Sequence, residues 1–344
     1  MQLDNEKQKT KEMVMRKIKS GVNPIAFCDE IKEWTDDEEM MLTVGLWYPT
    51  GICWASERLL SDREFMLRVV SLSGDALIYA KTEFQNDREI ILAAVKSGTC
   101  NIFENLSYQW RDDKEIAMAA CKRDGLSYMF ASSRLRDEKA LLIEALKSKG
   151  TALSQASERF KNDREMVILA IDNNADSIKF VGESLMGDKE LFEKAILKGN
   201  FNALKYASEE IKNDKEFVLR VIGESGMMLE YVSQSLKNDK DVVLKAVCND
   251  GLVLDYAFDD VKNNKEVVSA AMENNVNALF YASEELQDDI DLLKKLENNK
   301  ETVFIELNKW LSTRLENLKI LETENQMRAD IESESKTKLK IRKF

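Results

Sequence analysis

Residues 213–237 read NDKEFVLRVIGESGMMLEYVSQSLK, and this stretch holds one complete copy of a motif that recurs along the chain. Asn213 or Asp214 can accept hydrogen bonds from the free amides that begin a helix, and Glu216 suits the positive end of the helix dipole. The apolar residues that follow return at helical spacing, at positions 217, 218, 221 and 222. The stretch therefore predicts an amphipathic helix of about three turns that Gly226 ends.

The acidic start of this motif returns eleven times between residues 36 and 291, about every 25 residues. Its clearest copies begin at Asp62, Asp87, Asp113, Asp163, Asp188, Asp214 and Asp239. A fixed period of this length is typical of stacked units that can bury their apolar faces only against their neighbours. The predicted fold is therefore all-α: an α-solenoid of about eleven short helix–turn–helix repeats with a C-terminal capping helix.

Glycine follows the apolar stripe in most copies, and Asn173-Asn174 and Asn274-Asn275 stand in where it is missing. The glycines of this set are Gly74, Gly98, Gly125, Gly150, Gly199, Gly226 and Gly251. Glycine and asparagine are the residues that most readily adopt the left-handed conformation that closes a helix. We therefore expect these positions to be turns and not ligand-binding loops.

A second short helix is predicted after each turn, because an aromatic residue is followed there by a small one and, four residues later, by another apolar one. The aromatic position, called the aromatic column below, is occupied in ten copies by Trp54, Tyr79, Asn105, Phe130, Gln155, Phe180, Tyr206, Tyr231, Tyr256 and Tyr281. Eight aromatic residues could stack a ligand. The interpretation we favour is packing between repeats, because the small neighbour lets helices approach closely.

The composition argues against a nucleic-acid partner. The 344 residues contain 50 Lys and Arg against 62 Asp and Glu, a formal charge of -12, which repels a phosphate backbone. A basic run near the end, at positions 336, 338, 340, 342 and 343, is most simply a solvated tail. The predicted partner is a protein, with a basic surface as the complement of this charge, and the chain is expected to be monomeric.

No catalytic, cofactor-binding or metal-ligating residue can be nominated. The chain contains no histidine, which excludes histidine bases, Ser-His and Cys-His pairs and histidine metal ligands. No phosphate-binding glycine loop is present. The five cysteines have no CxxC spacing and are expected to be reduced packing residues: Cys28, Cys53, Cys100, Cys121 and Cys248. The chain is predicted not to be an enzyme and to need no cofactor.

The start of the chain lacks an apolar run of signal-peptide length, and no stretch has the ~20 apolar residues that cross a bilayer. The predicted location is the cytoplasm. Four segments are expected: a degenerate capping repeat at 1–35, the repeat array at 36–291, an amphipathic capping helix at 292–322 and a polar, basic tail at 323–344. A coiled-coil or partner-docking role is the alternative for the third segment.

The repeats resemble the family called domain of unknown function 4116, which occurs as tandem helical repeats in bacterial and some protist proteins, including candidate effectors of intracellular bacteria. The stretches that carry this resemblance are LKNDKDVVLKAV at 236–247 and ALKYASEEIK at 203–212. About two of the 25-residue units described here make one family unit. The resemblance implies the architecture, and it brings no activity or catalytic motif.

Two irregular copies contain the candidate partner-binding residues. Residues 46–49 read LWYP where other copies have a polar turn, and exposed aromatic side chains often anchor interfaces. In the unit before Asp113, Asn105 replaces the aromatic residue and Tyr108 stands where glutamate is usual. Trp47, Tyr48 and Tyr108 are the candidates, and local repacking is the structural alternative.

Three functions remain open from the sequence. The first is a non-enzymatic interaction scaffold or adaptor, of which an effector-type protein would be one form. The second is a stoichiometric inhibitor or regulator whose acidic surface blocks a basic or nucleic-acid-binding site of an enzyme. The third is an enzyme that uses carboxylates alone, such as a glycosidase, which needs two carboxylates facing one cleft.

Overall fold

The computed structural model describes residues 2–99, 101–298, 310, 312–317, 319–320, 323–324 and 326–331. Throughout these residues the secondary structure is α-helix and 3-10 helix, without a strand, and the helices recur with the predicted period. The prediction of an all-α repeat solenoid is confirmed. The chain divides into two compact units, Met1–Leu185 and Met186–Phe344.

The first unit begins with a helix of 18 residues, Gln2–Lys19, and continues with six helices of 10 residues. These six are Glu38–Trp47, Arg63–Leu72, Arg88–Ser97, Lys114–Arg123, Lys139–Ser148 and Arg164–Asn173. Its short α-helices are Cys28–Ile31, Glu57–Leu60, Asn101–Asn105, Tyr108–Arg111, Ser133–Arg136 and Glu158–Lys161. Its 3-10 helices are Pro24–Phe27, Lys32–Trp34, Pro49–Trp54, Gly74–Tyr79, Phe84–Asn86, Gly125–Phe130, Gly150–Gln155, Ala175–Phe180 and Glu183–Leu185.

The second unit repeats the same order of elements. Its longer helices are Lys189–Leu197, Lys215–Val221, Lys240–Asn249, Lys265–Asn274 and Ile290–Asn298. Its short α-helices are Glu209–Lys212, Gln234–Lys237, Asp259–Lys262 and Glu284–Gln287. Its 3-10 helices are Ala203–Tyr206, Gly226–Glu230, Gly251–Tyr256 and Val276–Tyr281.

Most of the longer helices bury two adjacent pairs of residues, one turn apart. In the Arg164–Asn173 helix these are Met166 and Val167, then Ala170 and Ile171, all fully buried. Spacing of one, four and five places all four side chains on one helical face. That face packs against the preceding Lys139–Ser148 helix and the neighbouring 3-10 segments. The core of the unit therefore runs along the stack and is shared by adjacent repeats.

An aspartate caps the start of most of these helices, as the sequence predicted. Asp163 accepts hydrogen bonds from the amides of Glu165 and Met166. In the repeat quoted first, Asp214 accepts from the amide of Phe217, so Asp214 and not Asn213 is the cap. The cap satisfies amides that have no partner inside the helix.

The second half of the repeat differs from the prediction of one short helix. In the most regular repeats a single extended residue leads from the longer helix directly into a 3-10 helix, and a separate α-helix of four residues follows, as after the Lys139–Ser148 helix. The four-residue helices are usually capped by serine, as at Ser132, Ser208 and Ser283. The repeat is thus a set of three helical segments and not a helix pair.

The prediction of a left-handed conformation is confirmed at Gly199, which has a φ of 94°, but it is wrong for the other glycines of the repeat. Among the described residues only Gly21 and Gly199 have positive φ. A Cβ on Gly150 would lie 2.3 Å from the carbonyl oxygen of Ala170 in the next repeat, so glycine is needed for close approach. The same contact recurs, with a Cβ at 2.0–2.5 Å from the alanine oxygen, at Gly74, Gly125, Gly226 and Gly251.

Asparagines reinforce this approach and do not replace the glycines. Asn173 accepts from the Gly150 amide at 2.6 Å and donates to the Lys147 carbonyl at 2.9 Å, which ties it to the preceding repeat. Asn174 instead caps the 3-10 helix by accepting from the amide of Asp176. Asn274 and Asn275 repeat these two roles.

Gly150→Ala should lower the free energy of unfolding by about 1–3 kcal/mol, because the added methyl group must push two backbones apart. Unfolding in urea, monitored through the helicity of the chain, measures this loss of free energy. The matched control is Gly187→Ala, whose Cβ would meet nothing closer than 3.8 Å and whose position is exposed, so the change should stay within about 0.5 kcal/mol. Equal effects of the two substitutions would contradict the close-approach explanation.

The basic residue in the middle of the acidic signature links most repeats to a following one. Lys139 contacts Asp163 at 3.0 Å and Glu165 at 2.7 Å, which are the cap and second helical residue of the following repeat. This role was not predicted from the sequence. The equivalent pairs start from Arg63, Arg88, Lys114, Lys189, Lys215, Lys240 and Lys265.

These contacts lower the pKa of the capping carboxyls. At Asp87 the hydrogen bonds from Arg63 are the main cause, and they outweigh desolvation. At Asp163 partial burial alone would raise the pKa, but Lys139 and the helix amides bring it below its usual value. The pKa is lowered in the same way at Asp113, Asp239 and Asp289.

The stability of the fold should therefore fall in acid. A carboxyl with a lower pKa in the folded chain stabilises it at every pH above the unfolded pKa, about 4, and this stabilisation disappears as the pH falls through the folded pKa. We expect the urea midpoint to be level from about pH 7 to 5 and to drop below about pH 4.

The control for this pH dependence replaces the five aspartates by asparagine, because Asn264 already caps a helix here by accepting from the amides of Glu266 and Val267. The substitutions are Asp87→Asn, Asp113→Asn, Asp163→Asn, Asp239→Asn and Asp289→Asn. The variant should have a shallower acid decline than the parent. An identical decline would show that other carboxyls are responsible.

The ends of the array are partly described. The Gln2–Lys19 helix packs on the Glu38–Trp47 helix, and Lys11 pairs with Asp37 at 2.8 Å and Glu39 at 2.9 Å, as in the regular repeats. In this predicted capping segment Val14, Ile18 and Ile31 are buried, whereas Met13 and Ile25 are exposed.

Near the other end, the Trp310 ring packs edge-on against Phe280 with ring centroids 4.7 Å apart, and Arg314 pairs with Asp288. These contacts join the helical residues after 309 to the last repeat. Several residues of the predicted capping helix and the whole basic run at 336–343 lie outside the described residues, as do the side chain of Cys28 and Cys100.

Candidate protein-interaction surfaces

The two irregular copies place their aromatic residues differently. Trp47 is 53% exposed at the end of its helix, beside exposed Leu46, and Tyr108 is 62% exposed at the start of a four-residue helix. Tyr48 is only half-buried against Trp54, with ring centroids 6.2 Å apart. Trp47 and Tyr108 are thus available to a partner, while Tyr48 also has a packing role.

The aromatic column does not lie in the core, which corrects the interpretation favoured from the sequence. All eight aromatic members are half-buried, and the polar members Asn105 and Gln155 are exposed. The core position of this segment is two residues earlier, as at Leu204, Leu229, Leu254 and Leu279, which are fully buried. Each aromatic ring therefore covers the core with one side and meets solvent with the other.

Four tyrosines in the second unit occupy consecutive positions of the column: Tyr206, Tyr231, Tyr256 and Tyr281. Desolvation first, and then the neighbouring Glu230, Tyr256 and Tyr206, raise the pKa of Tyr231. Desolvation and the carboxylates of Glu230, Asp255 and Asp250 likewise raise the pKa of Tyr256. Tyr231 and Tyr256 are therefore neutral phenols beside carboxylates.

Leu204→Ala should cost about 2–5 kcal/mol of unfolding free energy, because Leu204 is fully buried. Tyr206→Gln should cost clearly less, because the ring is half-exposed and glutamine already occupies this position at Gln155. Urea unfolding of both variants beside the parent provides the comparison. A larger loss for Tyr206→Gln would restore the core interpretation.

The four-residue helices differ in charge between the two units. In the first unit their second residue is often arginine, paired with an aspartate of the preceding repeat: Arg58 with Asp36, Arg134 with Asp112, and Arg159 with Asp137. The distance from the arginine nitrogen to the aspartate oxygen is 2.8–3.1 Å in these three pairs, so each arginine neutralises the charge of its aspartate.

In the second unit the same position is acidic or polar. Asp260 accepts only an amide hydrogen bond from Asn238, at 3.2 Å, and Glu285 accepts one from Asn263, at 3.1 Å. We call the surface formed by Asp259, Asp260, Glu284, Glu285 and the adjoining Phe258 the acidic groove. Its two shallow depressions have volumes of about 480 and 520 Å³.

The carboxylates of the acidic groove are exposed to solvent. None of its four carboxylates forms a salt bridge with another described residue. Phe258, at the position where other repeats cap the helix with serine, is 43% exposed and makes no cap hydrogen bond. An exposed aromatic ring beside unpaired carboxylates suits a cationic side chain.

Sequence reasoning missed this surface although its signals were visible. The adjacent acids at 259–260 and 284–285, and Phe258 in place of serine, are all legible in the sequence. Whether a carboxylate meets a cation of the neighbouring repeat depends on residues more than 20 positions away, which the repeat motif alone does not reveal.

Within the described residues, the cysteines and acidic residues form no group of three that could hold a metal ion. Burial, aided by Asp124 and Glu144, raises the pKa of Cys121 to about 12, as expected for a packing residue. Cys248 and Cys53 are exposed, so the expectation of packing was wrong for them; Val247 fills the buried position beside Cys248.

Eight tandem matches to the family model described as "Domain of unknown function (DUF4116)" cover most of the chain. The matched residues are 37–85, 62–111, 87–136, 113–161, 139–186, 188–237, 214–262 and 239–287. The chain belongs to the DUF4116 family. No curated protein and no solved structure matches it significantly.

Each DUF4116 match spans two of the repeats described above, and most matches overlap the next by one repeat. The exception is the step from 139–186 to 188–237, which coincides with the division into two units after Leu185. None of the described helices has the length and apolar character required to pass through a bilayer.

Proposed function

We propose that this DUF4116 chain is a non-enzymatic protein-interaction scaffold whose acidic groove docks a basic segment of a partner protein. The observation that carries the proposal is the set of four exposed carboxylates, Asp259, Asp260, Glu284 and Glu285, without a cation among the described residues. At the equivalent position of the first unit, arginines face aspartates.

Two further features support this proposal. Phe258 lines one of the two depressions together with Asp259 and Asp260, and its exposed aromatic ring can contact an arginine or the stem of a lysine. The row of half-exposed tyrosines adds amphipathic rings on the same repeats, and such rings are enriched at protein interfaces. Stacked repeats commonly bind partners along an extended surface.

The same groove supports the alternative of an inhibitor that blocks a basic site of an enzyme. A scaffold and an inhibitor would both hold a basic surface of the partner in the acidic groove. They differ only in whether the bound partner remains active. The unpaired Cys53 and Cys121 fit a reducing compartment, so we place either role in a cytosol.

The test is selection of a random-peptide display library on the purified chain. We expect the enriched peptides to be rich in Arg and Lys, with binding that weakens as salt rises. The variant Asp260→Arg/Glu285→Arg introduces the residue found at Arg58 and Arg134, so the fold should tolerate it. It should weaken the selected peptides by at least about tenfold, which corresponds to ~1.4 kcal/mol.

The matched control is Glu83→Arg/Glu104→Arg, which changes the net charge equally at exposed positions of the first unit. It should retain the selected peptides. Loss of binding in both variants would indicate attraction to net charge alone. If the enriched peptides are neutral and bind the parent and the Asp260→Arg/Glu285→Arg variant equally, the proposal that the acidic groove is the docking site is wrong. Trp47→Ala would then test the surface around Trp47.

A further inference from the structure

The largest departure from the repeat in the first unit surrounds Asn105. The repeat from Asp87 to Asp113 has 26 residues, one more than the repeat from Asp62 to Asp87. Its second half begins with an α-helix, Asn101–Asn105, where its neighbours have 3-10 helices at Gly74–Tyr79 and Gly125–Phe130. An exposed asparagine thus occupies the position at which the neighbouring repeats have aromatic rings.

A cavity of about 440 Å³ lies at this position. Its apolar lining includes Leu77, Ile78, Ile102, Leu106 and Trp110, and Ile78 is 64% exposed. The volume is within the range of ~300–1,000 Å³ that is usual for small-ligand sites, and an apolar lining with a few polar groups is their usual composition.

The polar groups of the lining are mainly side-chain amides. Gln85 donates to the carbonyls of Ile78 and Ala80, Asn86 donates to that of Thr82, and Asn105 donates to that of Asn101. Their amide oxygens accept no hydrogen bond from a described residue. Since a side-chain amide has two N–H groups, the lining offers three amide oxygens as acceptors and the second N–H of Asn86 and of Asn105 as donors.

Trp110 contributes its ring to the lining. Its indole Nε1–H has no acceptor among the described residues, but this nitrogen is shielded from solvent, so a ligand in the cavity contacts the ring and not the N–H. Asp75 is the one ionisable residue in the lining, and it already accepts from the amide and hydroxyl of Thr99.

We infer that this cavity binds an uncharged apolar group that carries an amide-like N–H donor and carbonyl. The apolar walls take its hydrocarbon part, the amide oxygens of Gln85, Asn86 and Asn105 accept from its N–H groups, and the second N–H of Asn86 or Asn105 is the donor for its carbonyl. A free small molecule and a side chain with its adjoining peptide group share this chemistry. The inference is independent of the acidic groove, which lies in the other unit.

The test follows the indole N–H signals of the full chain by NMR, which is practical because the chain has five tryptophans. Trp110→Phe assigns the Trp110 signal. The probes are 3-phenylpropanamide, its donor-free analogue methyl 3-phenylpropanoate, the cation 3-phenylpropylamine, and N-acetylphenylalanine methylamide. We expect 3-phenylpropanamide to shift the Trp110 signal saturably and the ester to bind about fivefold more weakly, as loss of a hydrogen bond implies.

Asn105→Phe restores the aromatic residue of the neighbouring repeats and should fill the cavity, so the shift should be lost while helicity is unchanged. Gln155→Phe is the matched control, because Gln155 is the other polar member of the column and does not line the cavity. It should leave the shift intact.

Several outcomes would overturn the inference. The first is that no probe shifts the Trp110 signal, and the second is that methyl 3-phenylpropanoate binds as tightly as 3-phenylpropanamide. The third is that the shift persists in the Asn105→Phe variant. The fourth is that 3-phenylpropylamine binds more tightly than the amide, which would make Asp75 a cation site. The comparison of amide and ester uses the unaltered chain and does not depend on the folding of a variant. Saturable binding of N-acetylphenylalanine methylamide would assign a peptide source, and binding of 3-phenylpropanamide alone a small-molecule source.

Discussion

Adjacent repeats come so close at one point that there is no room for a side chain. At Gly150 and its equivalents, the backbone of one repeat lies against the carbonyl oxygen of an alanine in the next. This contact sets the distance at which the two buried pairs of each longer helix, such as Met166-Val167 and Ala170-Ile171, meet those of the neighbouring helix. Burial of those apolar side chains is the main source of stability, because charged contacts at the surface contribute little.

The ion pairs set the alignment of the repeats more than they stabilise them. Asp163 accepts from two amides of its own helix and from Lys139 of the preceding repeat, so one carboxylate both starts a helix and fixes its position relative to its neighbour. A shifted stacking would break the cap pairing, the asparagine bonds of Asn173 and the glycine contact together. Agreement among these contacts selects a single register.

The candidate sites lie where this regular pattern is interrupted. Phe258 replaces a capping serine beside unpaired carboxylates, and Asn105 replaces an aromatic ring beside a cavity. In a regular repeat most side chains contact the neighbouring repeats, so few polar or aromatic groups remain available to a partner. The interruptions cost stability locally and expose rings, carboxylates and amide oxygens that a ligand or partner can use, which is why the two proposals concern them.

The period, the helical stripe and the capping aspartate follow from the sequence because each depends on residues within one turn or one repeat. Position 217 or 221 is apolar whatever its surroundings, so the all-α repeat fold was predictable. Tertiary structure alone decided three other points. Gly150 serves close approach and not a left-handed turn, and Tyr206 is half-exposed while Leu204 is buried. Among the described residues, Asp260 has no partner equivalent to the arginine, Arg134, that pairs with Asp112. Each of these depends on the distance and direction between repeats about 25 residues apart, and only the packed stack determines that geometry.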